Sequence, residues 1–493
     1  MAITKVTGAL LGNYTGGSAD DTVVVGDGAG VAITTGVDNT ILGDSAGAAL
    51  TEGSSNTLIG HLAGDAITTV SYITAVGEKA LSANTSGQKN TAVGRAALQS
   101  ITTVNNNTAV GYNCLSGGSN AASGNTGVGA DVLSANTSGA NNTGVGLDSL
   151  KSNTTGTRNT AVGMNTGVAI TTGSYNVLMG AYTGDAITTG EQNAAFGDAA
   201  LTACTTGTDN VAIGDQSLKA NTTGQYNVAL GSSALLTNTT ANSNTAVGFF
   251  SLKLNTTGTS NVAVGTDSLQ KNTTANNNTA VGHSALVENT TGTENSAVGS
   301  GSLRTNTTGN YNTAVGYECL RLATTADNNT AMGHYALGAI TTGYRNIAIG
   351  ATAGDAITTG LANTTMGFES LTTLTTGSNN VAIGEQALAA CTTGGNNTAV
   401  GRKALKAVTT GGNNDAFGLE CADNLTTGSS NTFVGNGITT SSASTSNANG
   451  FGLNLTCADN FTTIGQGSAD IRAEHGVATW ATVSDERVKK DIE

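Results

Sequence analysis

The chain has 493 residues, including 69 glycines and no proline, with 4% aromatic and 11% charged residues. Large side chains are too few for several ordinary globular cores, and the charge is too low for a disordered chain, so a thinly packed fold is expected. The formal net charge of −14 argues against nucleic acid or an anionic membrane surface as a partner, because both require clustered Lys and Arg.

A single glycine recurs from Gly26 to Gly452 in 26 copies, at steps of 17 residues except for one step of 18 between Gly111 and Gly129. When this glycine is numbered as position 5, position 1 is Asn in 23 of the 26 copies. A period this regular is typical of a stacked repeat architecture. We therefore predict a shaft of 26 coils over residues 22–452, preceded by an N-terminal cap or attachment segment over residues 1–21.

Within one copy, two stretches have the composition of short strands. Positions 1 to 4 read Asn-Thr/Val-Ala-Val/Ile and end at the recurring glycine, which predicts a strand followed by a tight bend. Thr-Thr-Gly at positions 13 to 15 predicts a second short strand and a second bend. Because proline cannot donate to a ladder, its absence suits this arrangement. The expected fold is all-β, a parallel β-solenoid or β-roll of 17-residue coils.

Both faces of the first strand carry small or apolar residues. In the copy that begins at Asn244, Thr245 and Val247 share one face, and Ala246 and Gly248 share the other. A strand with one wet face would alternate apolar with strongly polar residues. One face is therefore expected to fill the coil, and the other is expected to be covered by further copies of the chain.

Three other positions have structural explanations. The stacked Asn side chains of position 1 predict an asparagine ladder. Where position 9 is Gly, position 12 is Ile or Leu, and where position 9 is Leu, position 12 is most often Asn, which predicts that the two positions lie side by side in the core.

Few residues have the pattern of a chemical site. Five of the six cysteines stand at positions 8 and 12, which predicts packed thiols: Cys114, Cys204, Cys319, Cys391 and Cys421. His61, His283 and His334 all stand at position 6, without acidic or cysteine partners at ligand spacing, and are interpreted as surface residues. No metal and no cofactor is expected. Paired carboxylates in a groove, which a polysaccharide depolymerase needs, are not evident.

The repeat fades after Gly452, and residues 453–483 are predicted to form a C-terminal tip or transition. The last ten residues begin Ser-Asp-Glu-Arg-Val-Lys-Lys-Asp-Ile, at Ser484. This stretch resembles the opening of the intramolecular chaperone domain of bacteriophage tail fibres and tailspikes. Residues 484–493 would then be the truncated start of that domain.

The resemblance implies a self-processing reaction. In that family the chaperone trimerises the fibre and then cuts itself off immediately before the signature serine, using that serine and a lysine. Carried over, the catalytic pair is Ser484 and Lys489, and the scission falls between Val483 and Ser484. A serine needs a neighbouring base, and a desolvated lysine can serve as one. Self-cleavage is expected only with a chaperone body present, and no other enzymatic activity is expected.

The repeat is also similar to the β-roll heads of trimeric autotransporter adhesins, built from Asn-x-(Val/Ala)-(Ala/Val)-Ile-Gly-like units. The two resemblances imply an elongated homotrimer. No apolar run approaches the roughly 18 residues of a membrane span, so no membrane insertion is predicted. The first residues, Met1–Leu11, have too short an apolar core for a secretory signal, which predicts synthesis in a host cytoplasm.

The expected function is that of a structural fibre of a phage tail or virion appendage, which spans to a host cell and adsorbs on it. The expected partners are other tail or virion proteins at the N-terminus and a host cell-surface glycan or protein. Trp480 is the predicted receptor contact at the tip, with Tyr317 and Tyr335 as contacts along the shaft. The alternatives are a bacterial surface adhesin of the trimeric autotransporter type and an ice-binding solenoid, which the aligned threonine pairs suggest.

Overall fold

The computed structural model describes residues 21–117 and 122–477, together with the backbone of residues 481 and 482. Two compact units make up the chain, Met1–Ala246 and Val247–Glu493. Each unit is a parallel β-solenoid whose described residues contain no helix. The predicted fold class is confirmed in this respect.

Each coil of the first unit contributes one three-residue strand. Strands β1 to β13 pair in parallel and in chain order, and in the regular coils each residue lies opposite the residue 17 positions on, as Val211 lies opposite Val228. The strands are β1 Val23–Val25, β2 Thr40–Leu42, β3 Thr57–Ile59, β4 Thr74–Val76, β5 Thr91–Val93, β6 Thr108–Val110, β7 Thr126–Val128, β8 Thr143–Val145, β9 Thr160–Val162, β10 Val177–Met179, β11 Ala194–Phe196, β12 Val211–Ile213 and β13 Val228–Leu230. The boundary between the units falls within β14 Thr245–Val247.

The second unit repeats this ladder and then changes. Its strands are β15 Val262–Val264, β16 Thr279–Val281, β17 Ser296–Val298, β18 Thr313–Val315, β19 Thr330–Met332, β20 Ile347–Ile349, β21 Thr364–Met366, β22 Val381–Ile383, β23 Thr398–Val400, β24 Asp415–Phe417, β25 Thr432–Val434, β26 Thr439–Thr440, β27 Asn449–Leu453, β28 Thr456–Cys457, β29 Phe461–Gln466, β30 Ala469–Glu474 and β31 Ala481–Thr482. Strands β15 to β25 and then β27 pair in parallel in chain order, and β26 pairs with β28. Strand β29 pairs in parallel with β27, and β30 and β31 follow in antiparallel order.

The glycine at position 5 ends each of these strands for a conformational reason. Its φ lies between +120° and +150° in all 26 copies, a region that side chains with a Cβ rarely adopt. The same glycine stacks closely on the next coil: a Cβ on Gly282 would lie 2.6 Å from the carbonyl carbon of Gly299. The backbone conformation and the close stacking both require glycine at this corner.

The second strand predicted at positions 13 to 15 is wrong, because these residues form a bend. The N–H groups of Thr154, Thr155 and Gly156 all donate to the carbonyl oxygen of Thr171 in the next coil, at 2.9, 3.1 and 3.3 Å. Successive N–H groups of a strand point in alternate directions, whereas these three converge on one acceptor. The backbone therefore curls here, although its hydrogen bonds still join neighbouring coils.

The core of each coil is narrow and takes its volume from few positions. In the coil that begins at Asn261, the buried residues are those at positions 1, 3, 8, 9, 12 and 15: Asn261, Ala263, Ser268, Leu269, Asn272 and Ala275. The predicted exchange between positions 9 and 12 is confirmed. A Cβ on Gly184 would lie 2.7 Å from Cδ1 of Ile187, so the isoleucine occupies the space that leucine fills in other coils.

The predicted asparagine ladder is also confirmed, and it closes the coils as well as stacking them. Asn193 Nδ2 donates to the carbonyl of Gly207, at position 15 of its own coil, at 2.9 Å, and to Asn176 Oδ1 at 3.1 Å. Its Oδ1 accepts a hydrogen bond from the backbone N–H of Asn210 in the next coil at 3.1 Å. The Asn193 amide thus satisfies buried polar groups in three consecutive coils.

A second ladder at position 12 was not predicted. Asn272 Nδ2 donates to Asn255 Oδ1 at 2.8 Å and to the carbonyl of Ala275 at 3.1 Å. The exchange of Asn with Ile at this position concealed the ladder in the sequence, because only consecutive coils with Asn can form it.

Candidate functional site

Four of the predicted site residues lie outside the described residues: the receptor contact Trp480, the scission pair Val483 and Ser484, and Lys489. The described part of the tip contains strands β28 to β30 and the backbone of β31. The other candidate sites lie on the outer surface of the coils.

The first of these is the outer strand face, formed by positions 2 and 4 of the coils. In the strand Thr313–Val315 the central Ala314 is buried, whereas Thr313 and Val315 are only half-buried. In other coils the residue at position 4 is more open to solvent: Val298 is 40% exposed and Met332 is 49% exposed. One face thus fills the coil and the other is uncovered within a single chain, as the alternation of small residues predicted.

The outer strand face is almost free of charge. Position 4 is apolar in all 26 coils, and Asp415 is the only charged residue at position 2 or 4. The chain contains 19 basic and 33 acidic residues, so nearly all of its charge lies at other positions. Position 4 therefore forms an apolar column along each unit, and a continuous exposed apolar patch of this kind marks an interaction surface in soluble proteins.

Threonine columns occupy another side of the coils. At position 14 the side chains of Thr155, Thr257 and Thr325 are exposed. At position 13 the hydroxyl donates to the next coil, as Thr154 Oγ1 donates to the carbonyl of Thr171 at 3.0 Å. The ice-binding alternative depends on such exposed threonines and stays a prediction.

The second candidate site is a group of aromatic rings on the corner that follows the position-5 glycine. Tyr317 and His334, at position 6 of consecutive coils, stack with centroids 5.5 Å apart and planes inclined by 15°. Tyr335 meets both edge-on, at 5.7 Å from Tyr317 and 4.4 Å from His334. Tyr317 is 47% exposed and His334 is exposed, so the stack faces solvent.

Two charged residues border these rings. The Arg321 Nη1 atom lies 3.1 Å from Oε2 of Glu318, and the Arg321 guanidinium lies over the Tyr335 ring, 5.6 Å from its centroid. The pKa of the Tyr335 phenol is raised, mainly because the phenol is desolvated and to a smaller extent because it hydrogen-bonds to Glu318. A Cβ on Gly301 in the preceding coil would lie 3.1 Å from Glu318 Cγ, so the glycine makes room for the glutamate. We call these five residues, Tyr317, Glu318, Arg321, His334 and Tyr335, the aromatic corner.

Sequence reasoning identified part of this corner and missed the rest. Tyr317 and Tyr335 were predicted as contact residues, and they lie together. His334 was interpreted as a surface histidine, and it is exposed, but its stacking on Tyr317 was not predicted. His61 is also exposed, and its acidic neighbour was not predicted either: its Nε2 lies 3.5 Å from Asp44 Oδ2. The sequence spacing could have revealed these neighbours, since a corner residue faces the residues 17 or 18 positions away.

The cysteines are packed in the core, as predicted for five of them. All six are buried: Cys114, Cys204, Cys319, Cys391, Cys421 and Cys457. Desolvation by burial raises the pKa of the Cys319 thiol from 9.0 to about 12, and that of Cys391 to about 11. Thiols in this environment are poor nucleophiles, because the thiolate is the reactive form.

The native protein is therefore expected to leave all six thiols unmodified by iodoacetamide at pH 8, and the urea-unfolded chain to react at all six. Mass spectrometry counts the modified residues. Rapid alkylation of any of these thiols in the native protein would contradict their assignment to the core.

The free energy of unfolding is expected to fall as the pH rises from 9 toward 12, because unfolded thiols ionise in this window while the folded thiols keep their protons.

Within the described ranges, no three His, Cys, Asp or Glu side chains are grouped so that they could hold a metal ion. The same ranges contain no helix with the length and hydropathy to cross a membrane. In comparisons with known proteins, no family model matches the chain and no curated protein is significantly similar to it.

Proposed function

We propose that this chain forms the shaft of a trimeric fibre of a phage tail or related virion appendage, which spans to a host-cell surface and adsorbs on it. The observation that carries the proposal is the outer strand face, which runs uncharged through the coils of each unit apart from Asp415. Removing such a stripe from water is favourable in proportion to its apolar area.

The regular register of the coils supports association with copies of the same chain. In a symmetric homo-oligomer, equivalent coils of the partners meet, so every coil adds apolar contact of the same kind. A trimer is favoured by the two family resemblances, in both of which three chains assemble. Three identical chains also supply avidity, which lets individually weak surface contacts hold a large particle.

The C-terminal residues support the phage assignment through their resemblance to the chaperone signature. In this proposal Ser484 and Lys489 are the self-processing pair, and the bond between Val483 and Ser484 is the one that is cut. Trp480 precedes that bond and is the proposed receptor contact at the tip. Apart from this self-processing, the proposed role is structural.

The assembly is tested by placing charge on the outer strand face. The double variant Val298→Glu/Met332→Glu introduces two carboxylates at exposed positions of that face. Burying unpaired carboxylates against identical copies is strongly unfavourable, so we expect dissociation to monomers. The wild-type protein is expected to sediment as a trimer at the same concentration, as measured by analytical ultracentrifugation and native mass spectrometry.

The matched control is Thr308→Glu/Thr342→Glu, which places the same charges on exposed position-14 threonines of the same two coils. This control is expected to remain trimeric. A monomeric wild-type protein would refute the proposed fibre. A control that dissociates as fully as the test variant would show that the outer strand face is not the interface.

A further inference from the structure

The aromatic corner has the exposed ring surface that carbohydrate ligands require. Tyr317 and His334 lie in nearly parallel planes, and Tyr335 supports both from the side, so the stack is held in place. The face of an aromatic ring carries partial negative charge. The C–H-rich face of a pyranose presents hydrogens with partial positive charge, which are complementary to such a ring face.

The coils on both sides leave room beside the stack. The backbone of Glu318 donates to the carbonyl of Ser300, and that of Thr352 donates to the carbonyl of His334, at 3.0 and 2.9 Å. These bonds identify Ser300 and Ala351 as the position-6 residues of the adjoining coils. Both are small, so the two ends of the ring stack are not flanked by another large side chain on this corner.

The polar groups of the corner suit hydroxyl ligands and determine the preferred charge. Glu318 supplies carboxylate acceptors and Arg321 supplies guanidinium donors, the two functions that sugar hydroxyls can satisfy. The two residues pair with each other at 3.1 Å, so their charges balance within the corner. A site with balanced charge favours an uncharged sugar over a uronic acid.

We propose that the aromatic corner binds a neutral pyranose of a cell-surface glycan, with the sugar ring stacked on Tyr317 and its hydroxyls bonded to Glu318 and Arg321. This inference deepens the adsorption role and rests on the proposed function for its biological context. It assigns a lateral binding site to the shaft, in addition to the tip. Three chains would carry three such sites, and their avidity would compensate for weak individual binding.

The test uses the full chain and a panel of neutral oligosaccharides of glucose, galactose and N-acetylglucosamine, with a uronic-acid oligosaccharide as the anionic arm. Saturation-transfer NMR detects contact, and calorimetry measures the dissociation constant. We expect at least one neutral sugar to bind, Tyr317→Ala to weaken its binding at least tenfold, and Tyr317→Phe to retain binding because the ring is kept. Tyr311→Ala is the matched control, since Tyr311 is 55% exposed on a different corner of the same unit.

The inference would be overturned by no binding of any neutral sugar, by binding of the uronic-acid probe alone, or by equal losses in Tyr311→Ala and Tyr317→Ala. Sedimentation of the same samples separates this inference from the fibre proposal. A trimer that binds no neutral sugar overturns only the glycan site. A monomer whose sugar binding is lost in Tyr317→Ala supports the site and overturns only the fibre.

Discussion

Gly316→Ala is expected to lower the opening free energy of the coils around it by about 3 kcal/mol, through strain at a forbidden φ together with steric overlap. The φ of Gly316 is +136°. A Cβ at this residue would lie 2.4 Å from the carbonyl oxygen of Gly333, which belongs to the backbone of the next coil and cannot rotate away. Native-state hydrogen exchange of the coils that begin at Asn295, Asn312 and Asn329 measures the effect locally, which suits a repeat protein.

The control is Gly395→Ala, at position 16 of a corner in the same unit. Gly395 does not have a positive φ, and its added Cβ would approach the carbonyl oxygen of Ser378 no closer than 3.1 Å. Its effect is expected to stay within about 0.5 kcal/mol, as for other surface substitutions. Equal protection in the two variants would show that the position-5 corner tolerates a side chain and that the close stacking of glycines is not required.

Asn346→Ala is expected to lower the opening free energy of the surrounding coils by roughly 2–4 kcal/mol, because it leaves several buried polar groups without partners. Asn346 Nδ2 donates to the carbonyl of Gly360 at 2.9 Å and to Asn329 Oδ1 at 3.1 Å. Its Oδ1 accepts from the backbone N–H of Asn363 at 3.0 Å. The substitution therefore disturbs three consecutive coils, and hydrogen exchange is expected to increase in all three.

An exposed asparagine of the same unit provides the comparison. Asn436 lies on a corner, is exposed and does not have a positive φ. Asn436→Ala is expected to change protection by less than about 0.5 kcal/mol, as for other surface substitutions. If both asparagine variants behaved alike, the position-1 ladder would not be the element that closes the coils.

The period and the identity of the repeated residues were sufficient to predict the solenoid, the buried face and the position-1 ladder. Each of these depends on interactions between equivalent positions, such as Asn193 with Asn176 and Asn210, and equivalence is visible in the sequence. The exchange of a large apolar side chain between positions 9 and 12 was also visible, because two positions that share one volume vary together. Local stacking and shared volume therefore account for the successful predictions.

Two kinds of feature were predicted wrongly or missed. One is a segment whose residue types favour a strand although its backbone hydrogen bonds form a bend, and the other is a contact between residues at different positions of the repeat. Thr154 and Thr155 have strand-forming side chains, but their N–H groups converge on a single carbonyl, and this geometry cannot be read from residue type. The aromatic corner depends on contact between position 6 of one coil and position 7 of the next, as between Tyr317 and Tyr335. Such diagonal neighbours do not appear when only equivalent positions are compared.

The constant register of the strands also places equivalent residues at a fixed spacing along each unit. Successive coils along a parallel ladder are separated by about 4.8 Å, and in the regular coils each step corresponds to 17 residues, as between Val262 and Thr279. A group attached at position 14 of chosen coils would therefore be displayed at whole multiples of that spacing. The distance between two attached groups in the same unit could be set by counting residues, without any redesign of the fold.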